Sequence, residues 1–587
     1  LLELKMNRLT NLEEVEDARR RLTSLLDARG VWLLRERRDG SAVELRRGEW
    51  ELRVASGALV LSYRGDAGAR TWRVTAWRVE GESLSLEAAR RMGAERAVLC
   101  LVPRALVASA RDAVADARRA ECRRIAALVC RFAGAEPEQV RLSAGARRGE
   151  PGRWARIRVR RGRESFAVAG PVVAAGAEDA ESFLSSALLW LARLEDGASA
   201  ARPRGLWLIA PPKLAAAVCE RLPLLREDLR AFISVFETDS AFEPDFIHLS
   251  DSAFESDSAD ELTDKPRGPS TDNLRNPPTD HLRSPSTDNL RGLSTNELHR
   301  LSIDEPRGLS TDEPRGLMQV RPPTLSELLD APAPRLSRPA TMTCELIDSV
   351  VALAPGEIDF VRARRGETLR FLGLPFARVR RVKASDHLWF GIEASRHRAL
   401  LDEERAPDFL KLVAELKEHR RADAPNRRHA LYRAAPEAWL EALLRRDVQR
   451  LDPGLRLAPL HAQFRTPHAG GGARPVDLLA LRHDGRLAVV ELKVSEDATL
   501  ALQGADYWRR VEAHRRRGDI VRARLFGDAH IADEPPLVYL VAPMLRFHRS
   551  FATLARAVRP EIEMYRFDIN EDWRAGVRIV RRCHVNQ

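Results

Sequence analysis

Short apolar runs separated by Gly, Asp and Arg turns occupy 31–34, 59–63, 72–77 and 97–102, and predict β-strands. The stretch 105–132 is long, Ala-rich and free of Gly and Pro, which predicts a helix. Similar patterns return further on. Apolar runs at 357–361, 369–372, 377–382 and 388–392 precede helical stretches at 407–420 and 436–449, and two more strand-like runs, Val476–Leu481 and Leu487–Leu492, follow.

Between these halves, 261–316 is an eight-residue repeat: ELTDKPRG, PSTDNLRN, PPTDHLRS, PSTDNLRG, LSTNELHR, LSIDEPRG, LSTDEPRG. Asp stands fourth in six of the seven units, and with about one apolar residue per unit the array cannot build a core. A solenoid needs longer units that stack a continuous apolar face. The segment 241–322 is therefore expected to be a disordered linker, a tolerated repeat expansion, with a docking array for a protein partner as the functional alternative.

The halves align with each other. When 152–172 is slid under 473–493 without a gap, Phe166-Ala167-Val168 falls under Leu487-Ala488-Val489. Further on, Ser185 to Trp190 falls under Gln503 to Trp508, and Leu208-Ile209-Ala210-Pro211 under Leu540-Val541-Ala542-Pro543. The expected architecture is α/β and duplicated. It comprises a β-rich domain at 1–104, an α/β domain at 105–240, the linker, a second β-rich domain with a helix at 323–425, and a second α/β domain at 426–587.

Composition narrows the class. A chain of 587 residues with net charge +11 favours a polyanionic partner, although the basic residues are spread throughout. Of its 96 basic residues only seven are lysine, so each lysine stands out, Lys493 among them. The six cysteines form no CxxC pair, which argues against a zinc site and a disulfide framework. No apolar run of about 18 residues predicts a membrane span, and no secretory signal is legible in the first residues, so a cytoplasmic location is expected.

The chemistry concentrates in Pro475-Val476-Asp477 and Glu491-Leu492-Lys493. His483-Asp484-Gly485 suits a three-residue hairpin loop with Gly485 in the left-handed region. In that register Asp477 faces Glu491, and Lys493, two residues on, shares the face of Glu491. A two-residue loop would instead send Glu491 to the opposite face. Facing carboxylates repel unless a cation lies between them. Mg²⁺, or Mn²⁺, suits such a site, because it takes few carboxylate oxygens, keeps waters and leaves room for a phosphate. The Lys493 ammonium is then placed to orient an attacking water. Taken singly, Glu491 and Lys493 are also readable as an edge-strand ion pair.

This arrangement resembles the PD-(D/E)xK nuclease superfamily, with its restriction-endonuclease-like fold, and most of all the RecB- and NucS-type branches. The resemblance covers 430–570 and rests on Asp477, Glu491-Leu492-Lys493, and Gln503 and Tyr507 on the next helix; Pro475 stands two residues before Asp477 rather than one. It implies a central mixed sheet flanked by helices and DNA as substrate. It also implies metal ligation by Asp477, Glu491 and the Leu492 backbone carbonyl, a Lys493 that assists the water, and a supporting Gln503. An upstream helix in this superfamily commonly gives another acid; Glu441 is the candidate, with Glu437 the alternative. Many nucleases of this fold act as dimers, so a homodimer is a further expectation. Under the ungapped alignment Arg156, Gly170 and Val172 replace Asp477, Glu491 and Lys493. The first copy is thus expected to lack the chemistry, with Arg153, Arg156, Arg158, Arg160, Arg161 and Arg163 as candidate phosphate contacts. The rival to a DNA endonuclease is a non-catalytic nucleic-acid-binding or scaffold protein, and RNA remains open as substrate.

Overall fold

The computed structural model describes residues 7–36, 42–55, 57–65, 68–80, 83–90, 95–145, 151–196, 202–238, 317–332, 336, 344–363, 366–382, 385–392, 399–464 and 475–586. The octapeptide repeat lies outside them. The described residues form a mixed α/β structure with four sheets.

Two sheets are antiparallel throughout. In the first, Ala42–Arg46, Val31–Glu36, Glu95–Pro103, Ser83–Arg90, Gly68–Glu80, Ala58–Gly65 and Trp50–Ala55 lie side by side. The helix Leu12–Arg29 covers it through Val15, Ala18, Leu22 and Leu26, which meet Trp32, Leu59 and Trp72. That helix starts at a capping box, with Asn11 and Glu14 satisfying each other's backbone N–H groups. The second is a meander of Ile358–Ala363, Gly366–Phe371, Leu374–Val382, Ser385–Phe390 and Ala399–Leu400.

The other two sheets share one plan. The first module runs α1 (Val107–Ala133), β1 (Glu136–Ala144), β2 (Pro151–Arg161), β3 (Glu164–Pro171), α2 (Ala180–Asp196), β4 (Leu206–Ala210), α3 (Pro212–Cys219), β5 (Ile233–Glu237) and β6 (Met318–Val320). The second runs α4 (Pro436–Arg446), β7 (His461–Phe464), β8 (Val476–Leu481), β9 (Leu487–Leu492), α5 (Leu500–Arg516), β10 (Leu537–Pro543), α6 (Phe551–Ala557), β11 (Met564–Ile569) and β12 (Ile579–His584). In each sheet the strands lie in chain order, with two antiparallel pairings, two parallel and a final antiparallel one. The parallel pairs carry α2, α3, α5 and α6 as their crossovers, as parallel neighbours require. Because β6 follows the repeat, the linker expected to reach 322 ends sooner, and the first module closes with a strand from beyond it.

The registers correct the ungapped alignment. Arg161 pairs Glu164 around a two-residue turn in which Gly162 has φ 62°, whereas Leu481 pairs Leu487 around a longer loop in which Gly485 has φ 86°. The first hairpin is one residue shorter, so the slide runs out of step on β3. Ala169 pairs Leu208 as Glu491 pairs Leu540. Ala169, not Gly170, therefore stands where Glu491 does, and Pro171, not Val172, where Lys493 does. Arg156, paired with Ala169, keeps the place of Asp477.

The modules share a core. Leu184, Ala187, Leu188 and Trp190 of α2 join Leu502, Ala505 and Trp508 of α5 and Phe551 and Leu554 of α6 in one buried cluster. Leu225 and Val558, in corresponding helix-to-strand connections, form an antiparallel bridge: Arg226 N–H donates to Ala557 O at 3.0 Å and Arg559 N–H to Leu224 O at 2.9 Å. Corresponding surfaces thus meet as in an isologous dimer, within one chain. The meander packs on the second module, where Phe371 and Phe376 join Trp439, Leu478 and Val490. There the fully buried Arg420 donates to the carbonyls of Phe371, Leu372, Leu431 and Ala434 and lies over the Trp439 ring. Burial, and then Arg574 nearby, push its pKa down to about 9.

Candidate active site

The β8–β9 hairpin has the register that the three-residue loop predicts: Leu478 pairs Val490 and Leu479 pairs Val489. Arg482 and Arg486 close the loop, with Gly485 N–H donating to Arg482 O at 3.1 Å. Alternation then directs Leu479, Leu481, Leu487 and Val489 toward Tyr507 and Val511 of α5. Asp477 and Glu491 continue those rows at the other end of the hairpin.

Asp477 Oδ2 accepts the Leu492 backbone N–H at 2.9 Å. Lys493 Nζ donates to Glu491 Oε1 at 3.0 Å and lies 3.8 Å from Asp497 Oδ2. The other Asp497 oxygen accepts from Thr499 N–H at 2.7 Å and Thr499 Oγ1 at 2.6 Å, which fixes the turn into α5. The three sequence candidates therefore come together, and Asp497 joins them. Its signal, an Asx-type turn ahead of a helix, was present in Asp497-Ala498-Thr499.

The electrostatics are those of a crowded acidic centre. Glu491 is 2% exposed, and burial followed by the Asp477 charge raises its pKa well above the usual carboxylate range against the opposing pull of Lys493. For Lys493, burial acts downward, but Glu491 and Glu437 outweigh it and hold the ammonium above its ordinary value. Glu437 is itself raised, first by burial; Lys493 opposes this and Asp477 adds to it. Burial and the charge of Glu491 also push the Tyr507 phenol up, while Arg510, stacked 4.5 Å from its ring centroid, acts in the opposite sense. Gln503 is buried one turn before Tyr507 on the same face of α5.

Of the two upstream acids, Glu437 is the one whose charge couples to this centre, while Glu441 is held by Arg370. Both are on α4, four residues apart. Glu441 is 2% exposed and accepts Arg370 Nη1 at 3.0 Å. Arg370 also donates to Asp359, which takes Arg445 at 2.7 Å. Glu441 thus serves as counter-charge to an arginine of the meander, while Glu437 is the residue whose charge couples to Lys493 and Asp477.

Among the described residues no three His, Cys, Asp or Glu side chains converge as a ready-made metal cage. Mg²⁺ does not require one, since it is ordinarily held by one or two carboxylates and keeps several waters. The donor set of Asp477, Glu491 and the Leu492 carbonyl is all hard oxygen, and its repulsion, with the charge of Glu437 beside it, is what a divalent cation would relieve. The residues fit the group.

Comparison with protein-family models, curated proteins and solved structures finds no match to this chain. No helix among the described residues is long and apolar enough to cross a membrane.

Proposed function

We propose that the second module is a metal-dependent endonuclease centre of the PD-(D/E)xK kind that hydrolyses DNA phosphodiesters in repair, processing or defence. The observation that carries the reading is the Lys493–Glu491 contact beside Asp477 at the end of one hairpin, with the charge of Glu437 coupled to it from α4. Asp477, Glu491 and the Leu492 carbonyl would hold Mg²⁺ or Mn²⁺, with the charge of Glu437 beside them. When bound, the metal lowers the pKa of a water and offsets charge building on the phosphate. Lys493, kept protonated by its acidic neighbours, directs the water and the phosphate oxygen. Gln503 and Tyr507 wall the centre from α5.

The test compares wild type with Asp477→Ala on plasmid, single-stranded, branched and mismatched DNA and on RNA, with Mg²⁺, Mn²⁺ or EDTA. Metal-dependent cutting that falls by about a hundredfold or more in the variant supports the centre. A specific observation favours the rival reading, a nuclease-like fold that holds nucleic acid without cutting it: Glu491 is almost wholly buried. No cutting by either protein, with equal binding by both, would decide for that rival.

A further inference from the structure

The first module carries a cleft of about 890 Å³ on the side of α2. Arg119, Arg123, Arg141, Arg156 and Arg193 line it together with Trp190, and among the described residues no Asp or Glu lines it. Arg156 stands in β2 at the place of Asp477, and its partner across the hairpin, Ala169, at the place of Glu491. Where the second module gathers acids, the first therefore gathers guanidinium groups.

Arg156 is weakly balanced. Arg156 Nη2 donates to Ser186 Oγ at 3.3 Å, and its buried Nε has no hydrogen-bond partner among the described residues. Arg119 is matched by Asp116 at 2.7 Å, and Glu121, on the same helix, is taken by Arg124. Burial, and then the like charge of Arg193, lower the Arg156 pKa to about 10. Arg156 is partly buried and the other four arginines are exposed at the cleft; cations held together around one cleft draw an anion between them. Arginine forks match phosphate oxygens two at a time, and several forks along one cleft match successive phosphates better than a single small anion.

We propose that this cleft holds the phosphodiester backbone of a nucleic acid, so that the first module grips the strand on which the second acts. The choice of nucleic acid over another polyanion rests on the nuclease reading of the second module.

The test is binding of a fluorescein-labelled 30-nucleotide DNA, single-stranded and duplex, to the full chain in EDTA, where hydrolysis cannot contribute. The Arg156→Ala/Arg193→Ala variant is expected to bind about tenfold more weakly, and its dependence of log K on log salt to flatten by about 1.8 for duplex and about 1.4 for single strands. Arg193→Glu is the second variant; the side chain is exposed, so this change keeps the test open if substitution at Arg156 unfolds the module. Affinity and salt slope equal to wild type in both variants would overturn the proposal. So would displacement of the DNA by polyglutamate as readily as by unlabelled DNA, which would assign the cleft to acidic peptides. Because binding is read without metal, loss of binding in the variants supports the cleft even if the wild type proves unable to cut, and cutting by a chain whose arginine variants bind normally sinks the cleft alone.

Discussion

Asp506 ties the two modules together through Arg221. It lies on α5, 4% exposed, accepts Arg509 at 2.7 Å and forms an ion pair with Arg510, whose Nε lies 3.2 Å away. Arg221 of the first module reaches to 3.6 Å from it and is shared with Glu181. Asp506→Ala takes away the carboxylate that three guanidinium groups share in a nearly dry interface, while Glu181 stays beside Arg221 and Glu220 at 3.3 Å from Arg509. Removing one partner of a buried ion pair costs about 3–5 kcal/mol, because the charges left behind remain desolvated. For a unit of this size that is a fall of roughly 6–20 °C in the transition that melts the paired modules, read by calorimetry on the full chain. The acid limb supplies a second reading. Burial alone would raise the Asp506 pKa, but Arg221, Arg509 and Arg510 outweigh it and hold the folded-state value far below the usual range. A depressed carboxylate contributes stability above its unfolded value, about 4, and loses it as pH falls from there toward the folded value. Asp506→Asn should therefore be less stable than wild type at neutral pH, and the difference should narrow as the pH falls below about 4. An Asp506→Ala transition within about 2 °C of wild type, or a gap to Asp506→Asn that is unchanged by acid, would refute the view that this carboxylate holds the modules together.

Two further substitutions separate structure from chemistry. Glu437→Gln is expected to lower metal-dependent cutting by about tenfold or more with the melting transition unchanged, whereas Glu441→Gln weakens the counter-charge of Arg370 and should cost about 3 kcal/mol of stability; calorimetry and cutting assays on both variants check the assignment, and the opposite pattern would return the upstream acid to Glu441. Arg420→Lys replaces a planar fork that serves five backbone carbonyls with a single ammonium, and should destabilise the docking of the meander by about 2–3 kcal/mol, read as faster proteolysis within 344–392.

How much of this was legible in the residues depended on how local the cause was. The hairpin register follows from apolar alternation and from Gly485, whose φ of 86° suits glycine, so Asp477, Glu491 and Lys493 could be aligned from sequence. The helices at Val107–Ala133 and Ala406–His419 were likewise expected within a residue or two. The helix Leu12–Arg29 does not stand out in the sequence because its four buried residues are spaced among nine charged ones. The shorter β2–β3 turn was hidden because an ungapped match looks correct on either strand alone. Glu437 and Glu441 share one helix face, and the residue that decides between them, Arg370, comes from another sheet some 70 positions away. Nothing local to Asp506, Arg509 and Arg510 announces that a second module covers α5.

Joining two like modules in one chain lets each change without the other, and the pattern of change separates what packing demands from what chemistry demands. Leu184, Ala187 and Trp190 of α2 match Leu502, Ala505 and Trp508 of α5 in one shared core. Any pair of modules that buries this face needs apolar residues there, whatever either module does. The hairpin positions are under no such demand. Arg156 with Ala169 gives the first module a cationic position, and Asp477 with Glu491 gives the second a pair of carboxyl groups. The first centre can no longer hold a cation, because a fixed guanidinium already stands where a metal ligand would be. It is suited instead to an anion, and the second remains suited to a cation that itself draws a phosphate. Opposite charge at corresponding positions of one fold, with the packed face kept, is the arrangement expected when one module holds a polyanion and the other acts on it.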